Sequence, residues 1–113
     1  MDEVLSKLIA LHDLDQLLKE LESPQYQELG FEVKENRKKE LLKRREELVK
    51  QIPEKTYRRY ELLRRRYGRG IAPVIGGVCM NCFIQLPTAV VSGPDKNQKL
   101  ETCSNCGIFI YLA

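Results

Sequence analysis

The chain has one histidine, His12, and its four cysteines all lie within residues 79–106. It has no long apolar run, and its glycines never gather into a phosphate-loop pattern. Each shortage removes a class of function. A single histidine builds no histidine-based acid–base pair. Gly68, Gly70, Gly76 and Gly77 lack the spacing of a loop that cradles phosphates. Charges interrupt every apolar stretch, and the opening Met1-Asp2-Glu3-Val4-Leu5-Ser6-Lys7 is acidic. Neither a signal peptide nor a membrane span is expected. The expectation is a cytoplasmic chain, in a compartment where thiols stay reduced.

Charge is plentiful and uneven. Residues 1–33 carry two basic and eight acidic side chains, net −6. Residues 34–69 carry fifteen and six, net +9, and residues 70–113 carry two of each. The acidic segment can pair with the basic one. The surplus is positive, and an anionic partner would feel it.

Residues 2–22 have helical periodicity. Val4, Leu11 and Leu18 share one heptad position and Leu14 and Leu21 the other, with Leu8, Ala10 and Leu17 widening the stripe. Ser23-Pro24 stops this helix, because the residue before proline avoids the α region. Residues 31–52 form a second helix of similar length, so the two fold back as an antiparallel hairpin. Its apolar residues are sparse, and Glu35–Lys39, Glu40–Arg44 and Glu46–Lys50 stand at the i, i+4 spacing that supports an exposed helix. Leu5 and Ile9 fall outside the seam. They are expected to meet a third helix, a second copy of the chain or a protein partner.

Pro53 suits the start of a third helix over residues 54–67, which Gly68 ends. Lys55, Arg58, Arg59, Arg65 and Arg66 fall on one side with Leu62. Tyr57, Tyr60, Leu63 and Tyr67 fall on the other, with Arg64 among them. From Ile71 the texture turns to short β-rich runs, 71–75, 83–86, 89–91 and 108–112, punctuated by Gly76-Gly77, Pro87 and Ser92-Gly93-Pro94-Asp95. The fold class is α+β: a helical hairpin and a basic linking helix (1–69), then a small antiparallel β ribbon (70–113). A ribbon of that size is close to the limit of about 40 residues below which a metal, disulfide or partner is needed.

The cysteines supply the means. Cys79, Cys82, Cys103 and Cys106 form two Cys-x-x-Cys pairs with 20 residues between them, within the spacing of a four-cysteine zinc site. Zinc takes four thiolates in a tetrahedron. Gly107 follows the second pair, where a tight turn needs positive φ, and Asn81 and Asn105 tolerate left-handed geometry inside the turns. Disulfides suit a secreted chain better. A redox pair would open a helix in a βαβ setting, which neither does. An iron centre with four thiolates is chemically open but ranks below zinc. Four protein ligands leave no open position, so the metal is expected to be structural and the protein not an enzyme.

The stretch IPEKTYRRYELLRRRYGRGIAPVIGGVCMNCFIQLP, followed by TCSNCGIFIYL, resembles the C-terminal part of the bacterial C4-type zinc-ribbon family. LIALHDLDQLLKELE is similar to that family's opening helix. The hairpin is shorter than in typical members, and Ile108 stands where the family usually has arginine. The resemblance implies an adaptor without enzymatic activity. It suggests a protein partner in the flagellar, secretion or transcription machinery.

Two functions follow as expectations. One is a protein-binding adaptor that docks through its hairpin, with Leu5 and Ile9 as candidate interface and a homodimer as a further outcome. The other is an RNA- or DNA-binding protein in transcription or post-transcriptional regulation. It would use the ribbon and the basic stretch 55–69, with Lys55, Arg58, Arg59, Arg64, Arg65, Arg66 and Arg69 on phosphates and tyrosines stacking on unpaired bases. A polymerase-channel modulator ranks below both, because the hairpin turn lacks paired acids.

Overall fold

In the computed structural model, which describes residues 1–22, 30–91 and 97–113, helices lead into a small mixed sheet. The helices are α1 (Glu3–Leu21), α2 (Phe31–Val49) and α3 (Glu54–Tyr67). The strands are β1 (Ile71–Ile75), β2 (Val78–Cys79), β3 (Glu101–Thr102) and β4 (Phe109–Leu112), with a single-turn helix, α4 (Thr88–Val91), between β2 and β3. The turns expected at Ser23-Pro24 and at Ser92-Gly93-Pro94-Asp95 lie outside the described residues.

The helix ends follow local chemistry. The Asp2 carboxylate accepts the Leu5 N–H at 2.9 Å, satisfying one orphan donor of the first turn. Gly68 ends α3 in the left-handed conformation, φ +80°, which glycine adopts without steric cost. The pairs Glu40–Arg44 and Glu46–Lys50 form at 2.8 and 3.9 Å; Glu35–Lys39 does not appear among the ion pairs of the described residues.

The buried face of α1 differs from the heptad reading. Leu5, Leu8, Leu11 and Asp15 are buried, whereas Ala10 and Leu17 are exposed. Counting heptads presumes one partner helix, but the first half of α1 also lies on β1. Leu5 is therefore core, with no exposed surface, and Ile9 packs half-buried against the same cluster. Leu5 is withdrawn as an interface residue: the ribbon covers the apolar surface that α2 leaves bare.

The core joins Leu5, Leu8 and Leu11 to Tyr60 and Leu63 of α3 and to Ile71, Ala72, Val74, Ile108, Phe109 and Ile110 of the ribbon. The two segments expected from the sequence thus share one core. Beyond it the hairpin projects as an arm, with Leu21 and Leu41 buried between its helices. The molecule is correspondingly long, 50 × 28 × 22 Å.

The strand order is β2-β1-β4-β3. The outer pairs are antiparallel, but β1 and β4 run parallel, with Ile71 opposite Phe109 and Val74 opposite Leu112. This corrects the antiparallel expectation. A parallel pair needs a long crossover, and the residues between β1 and β4, both cysteine turns included, provide it. Most of β1 is buried, which accounts for its unbroken apolar sequence IAPVI. Ala89–Val91, read as β-rich, is helical instead. The Val90 N–H donates to the Pro87 carbonyl at 3.0 Å, and this local turn overrides β-branched propensity. Of residues 83–86, Gln85 alone forms a bridge, with Val78.

A buried polar hub pins the three helices together. The Asp15 carboxylate accepts from Arg45 Nε at 2.6 Å, Tyr60 Oη at 2.7 Å and Arg64 Nη1 at 3.0 Å. Arg45 and Arg64 also reach Glu61, at 2.6 and 3.3 Å. Two acids face two arginines, so the charges cancel. Burial works against the Arg45 charge, but hydrogen bonds to Asp15, Tyr57 and Glu61 more than offset it and hold its pKa above the ordinary guanidinium value. Burial, together with the bond to Asp15, pushes the Tyr60 hydroxyl up as well. Arg64 is thereby committed within the fold.

Gly70 makes room for Tyr60. A Cβ at Gly70 would run into the Tyr60 ring, 2.6 Å from Cε2, and that ring has no exposed surface. Overpacking costs about 1–3 kcal/mol, and with Tyr60 held by Asp15 the ring cannot yield. Gly70→Ala is expected near the upper end, about 3 kcal/mol, read as a lowered urea midpoint at unchanged slope.

Candidate metal centre

Each Cys-x-x-Cys occupies a turn closed by the same two backbone hydrogen bonds. In the first, Phe83 N–H donates to the Cys79 carbonyl at 2.8 Å and Cys79 N–H to the Ile84 carbonyl at 3.0 Å. In the second, Gly107 N–H donates to Cys103 at 2.9 Å and Cys103 N–H to Ile108 at 2.8 Å. The residue after the second cysteine of each turn is left-handed: φ is +76° at Gly107 and +62° at Phe83. Asn81 and Asn105 have ordinary negative φ, contrary to the sequence reading. They act as donors instead, the Asn81 side-chain amide to Cys106 Sγ and the Asn105 backbone N–H to Cys103 Sγ, both at 3.4 Å.

The turns bring all four sulfurs within 4.8 Å of one another. Across the turns, Cys79 and Cys106 sulfurs stand 4.0 Å apart and those of Cys82 and Cys103 3.7 Å. A tetrahedron with zinc–sulfur bonds of 2.3 Å has edges of about 3.8 Å, and these two cross-turn separations lie close to that length. All four cysteines are free. Cys79 and Cys103 are buried and Cys82 and Cys106 half-buried.

Burial pushes the Cys79 thiol up to about 12 and raises that of Cys106; bonds from the backbone and from Asn81 pull the other way, while the neighbouring cysteines add to the rise. At Cys82 burial pulls upward too, but the Asn105 side chain and the Ile84 backbone outweigh it and hold the thiol at about 6. Four thiolates so close repel one another. A dication supplies the compensating charge, and its binding displaces the thiol protons. Four soft donors at tetrahedral spacing, with no position left for water, fit a single structural zinc.

Neighbouring elements fix the turns in place. From α3, Tyr67 Oη donates to the Cys106 carbonyl at 3.0 Å and Arg59 to the Gly107 carbonyl at 3.2 Å. Asn97, which the sequence reading passed over, brackets β4: its amide donates to the Leu112 carbonyl at 2.8 Å and accepts the Leu112 N–H at 2.7 Å. Ile108, at the position where arginine is usual in the family it resembles, is fully buried. Its place in the core leaves no role for a charged side chain there.

Phe83 stands at odds with its position. The residue is 71% exposed, and a left-handed backbone costs a non-glycine residue about 1–2 kcal/mol. Glycine's extra chain entropy offsets about 0.5–1 kcal/mol of any relief. Phe83→Gly is therefore expected to stabilise by up to about 1 kcal/mol. Gly107→Ala should destabilise by about 1–2 kcal/mol, since its Cβ would meet Arg59 Nη2 at 3.2 Å as well as the φ penalty. Thermal unfolding of the metal-loaded pair reads the opposite signs.

The cations proposed from sequence separate into two groups. Lys55, Arg58, Arg59, Arg65 and Arg66 are exposed beside Leu62. Arg58 pairs with Glu54, and Arg66 lies over the Tyr67 ring at 5.2 Å. Arg64 is held in the Asp15 hub, and Arg69 Nε donates to the Ile71 carbonyl at 3.1 Å. Tyr57 and Tyr67 are half-buried and Tyr60 is buried. His12 is half-buried. Among the described residues no helix is long and apolar enough to cross a membrane.

No protein-family model and no curated protein matches the chain. Among solved structures it is similar to CT398 from Chlamydia trachomatis, with a TM-score of 0.54 and 21% identity over 73% of this chain and 35% of that one. It is also similar to the HP0958 protein from Helicobacter pylori, with a TM-score of 0.60 and 30% identity over 88% of this chain and 42% of that one. The chain thus spans less than half the length of either. Together with the four-cysteine cluster, these likenesses fit a zinc-ribbon-like protein of α+β fold with one metal site.

Proposed function

We propose that the chain is a cytoplasmic, non-enzymatic adaptor of the bacterial C4-type zinc-ribbon kind. Its metal-held ribbon is the base and its short hairpin the docking arm. The observation that carries this reading is the arm itself, which extends past the shared core and leaves Leu17, Val33 and Leu42 exposed on its two helices, at 40, 58 and 45%. A coordinatively closed metal would stiffen the base without doing chemistry. The family resemblance suggests a protein of the flagellar, secretion or transcription machinery as partner. The test is the double variant Leu17→Glu, Leu42→Glu. It should keep its metal and helicity yet lose, in nuclease-treated lysate, the partner that the wild-type chain retains. Equal retention by both proteins would contradict docking through the arm.

A second reading, RNA or DNA binding in transcription or post-transcriptional regulation, rests on the exposed face formed by Lys55, Arg58, Arg59, Arg65 and Arg66. Affinity for a single strand should fall steeply with salt, and each phosphate-contacting cation removed should lower the slope of log K against log salt by about 0.7. Binding that ignores salt, or none at low salt, would reject it.

A further inference from the structure

The crook between the hairpin and the C-terminal end of α3 encloses a groove of about 590 Å³, within the range of about 300–1,000 Å³ usual for small-molecule sites. Lys19 of α1, Lys38 of α2, and Arg65 and Arg69 at the end of α3 all line it. Arg64 does too, but it is bound to Asp15 and Glu61. Lys38 shares Glu22 with Lys34, at 3.8 Å from each. Among the described residues Lys19 and Arg65 form no ion pair, and Arg69 uses only Nε, on the Ile71 carbonyl. Five lining cations thus face two lining carboxylates, Asp15 and Glu22, a surplus of three. Like charges gathered on a concave surface repel one another, and a bound anion relieves that repulsion. The lining also includes Leu18 and Leu42, which offer an apolar surface, and the Gln16 amide.

We propose that this groove binds a nucleoside monophosphate group. Its phosphate would sit among Lys19, Arg65 and Arg69, and its base over Leu18 and Leu42. The source is either a free nucleotide or the phosphorylated end of a strand; the recognised chemistry is the same. The groove shares Leu42 with the arm surface and Arg65 with the exposed face of α3, but neither proposed function requires that the groove be occupied.

His12 lines the groove and is the chain's one histidine, which makes it a single, unambiguous reporter. Burial and the Arg69 charge lower its pKa, while Asp13 and Asp15 pull the other way. A bound phosphate dianion should raise it. The experiment follows the His12 ring by NMR in the metal-loaded full chain, titrated with AMP, adenosine, and one oligonucleotide with and without a 5′-phosphate. AMP should shift the His12 signal saturably and raise its pKa, and adenosine should not. Arg65→Ala should weaken AMP by about 10- to 100-fold, the loss of one charge-assisted contact. Saturation by the 5′-phosphorylated strand at lower concentration than AMP would identify a strand end as the source; the reverse order would identify the free nucleotide. The site is overturned if AMP leaves His12 unmoved at about 10 mM, too weak for recognition. It is equally overturned if adenosine binds as well as AMP, if the unphosphorylated strand binds as well as the phosphorylated one, or if Arg65→Ala titrates like the wild type.

Discussion

Asp15→Ala is expected to cost about 3–5 kcal/mol of folding stability, the loss that follows removal of one partner from a buried ion pair. The carboxylate is nearly inaccessible, at 8% residue exposure. Its removal strands three donors at once: Arg45 Nε, Arg64 Nη1 and the Tyr60 hydroxyl. Glu61 would remain as the one acid facing two arginines, leaving a buried net positive charge. A domain of this size has about 5–15 kcal/mol in hand, so the variant should unfold at a much lower urea concentration. Glu40→Ala is the control. It removes an exposed partner of Arg44, and such pairs contribute about 0–1 kcal/mol. A hub that merely decorates the surface would give the two variants similar midpoints.

Cys103→Ser, or chelation of the metal, should have the larger consequence. Structural zinc contributes binding free energy of about 10–16 kcal/mol in small zinc domains, and here the ligand turns are integral to the sheet. Loss of the ion should release the repulsion among the thiolates and free the second turn from Tyr67 and Arg59. The shared core makes a specific demand. Leu5 and Leu8 pack in one cluster with Ile71, Ile108 and Phe109, so a disordered ribbon uncovers the first half of α1. Amide exchange should therefore quicken at α1 residues 5–11 as well as throughout β1 and β4, while the arm around Leu21 and Leu41 changes least. Exchange confined to residues 70–113 would mean that the two segments fold independently.

Legibility followed sequence distance. The metal ligands could be read because each pair of ligands is three residues apart and a turn alone sets their geometry. The faces of α3 could be read for the same reason: periodicity places Tyr60 and Leu63 inside and Lys55, Arg58 and Arg65 outside. What escaped depends on partners far along the chain. Asp15 meets Arg45 and Tyr60 across 30 and 45 residues. The available signal was an acid four residues after Leu11 on an otherwise apolar stripe, and it became interpretable only with the arginines in place. Leu5 looked unpartnered because its cover is β1, Ile71–Ile75, far along the chain. The parallel pairing of β1 with β4 is not encoded in either strand alone, since its register is fixed by the core beneath. Ala89–Val91 has the composition of a strand and the context of a turn, and context won. Phe83 is the converse case: the turn calls for glycine, as at Gly107, and the chain carries an exposed aromatic instead.

X-ray absorption on gently purified, reduced protein tests the central claim most directly, because it gives metal identity, stoichiometry and ligand set together. The structure predicts one zinc per chain with four sulfur neighbours at about 2.3 Å. Metal-free protein, fewer than four sulfurs around the ion, or sulfur–sulfur bonds at about 2.05 Å among Cys79, Cys82, Cys103 and Cys106 would contradict it.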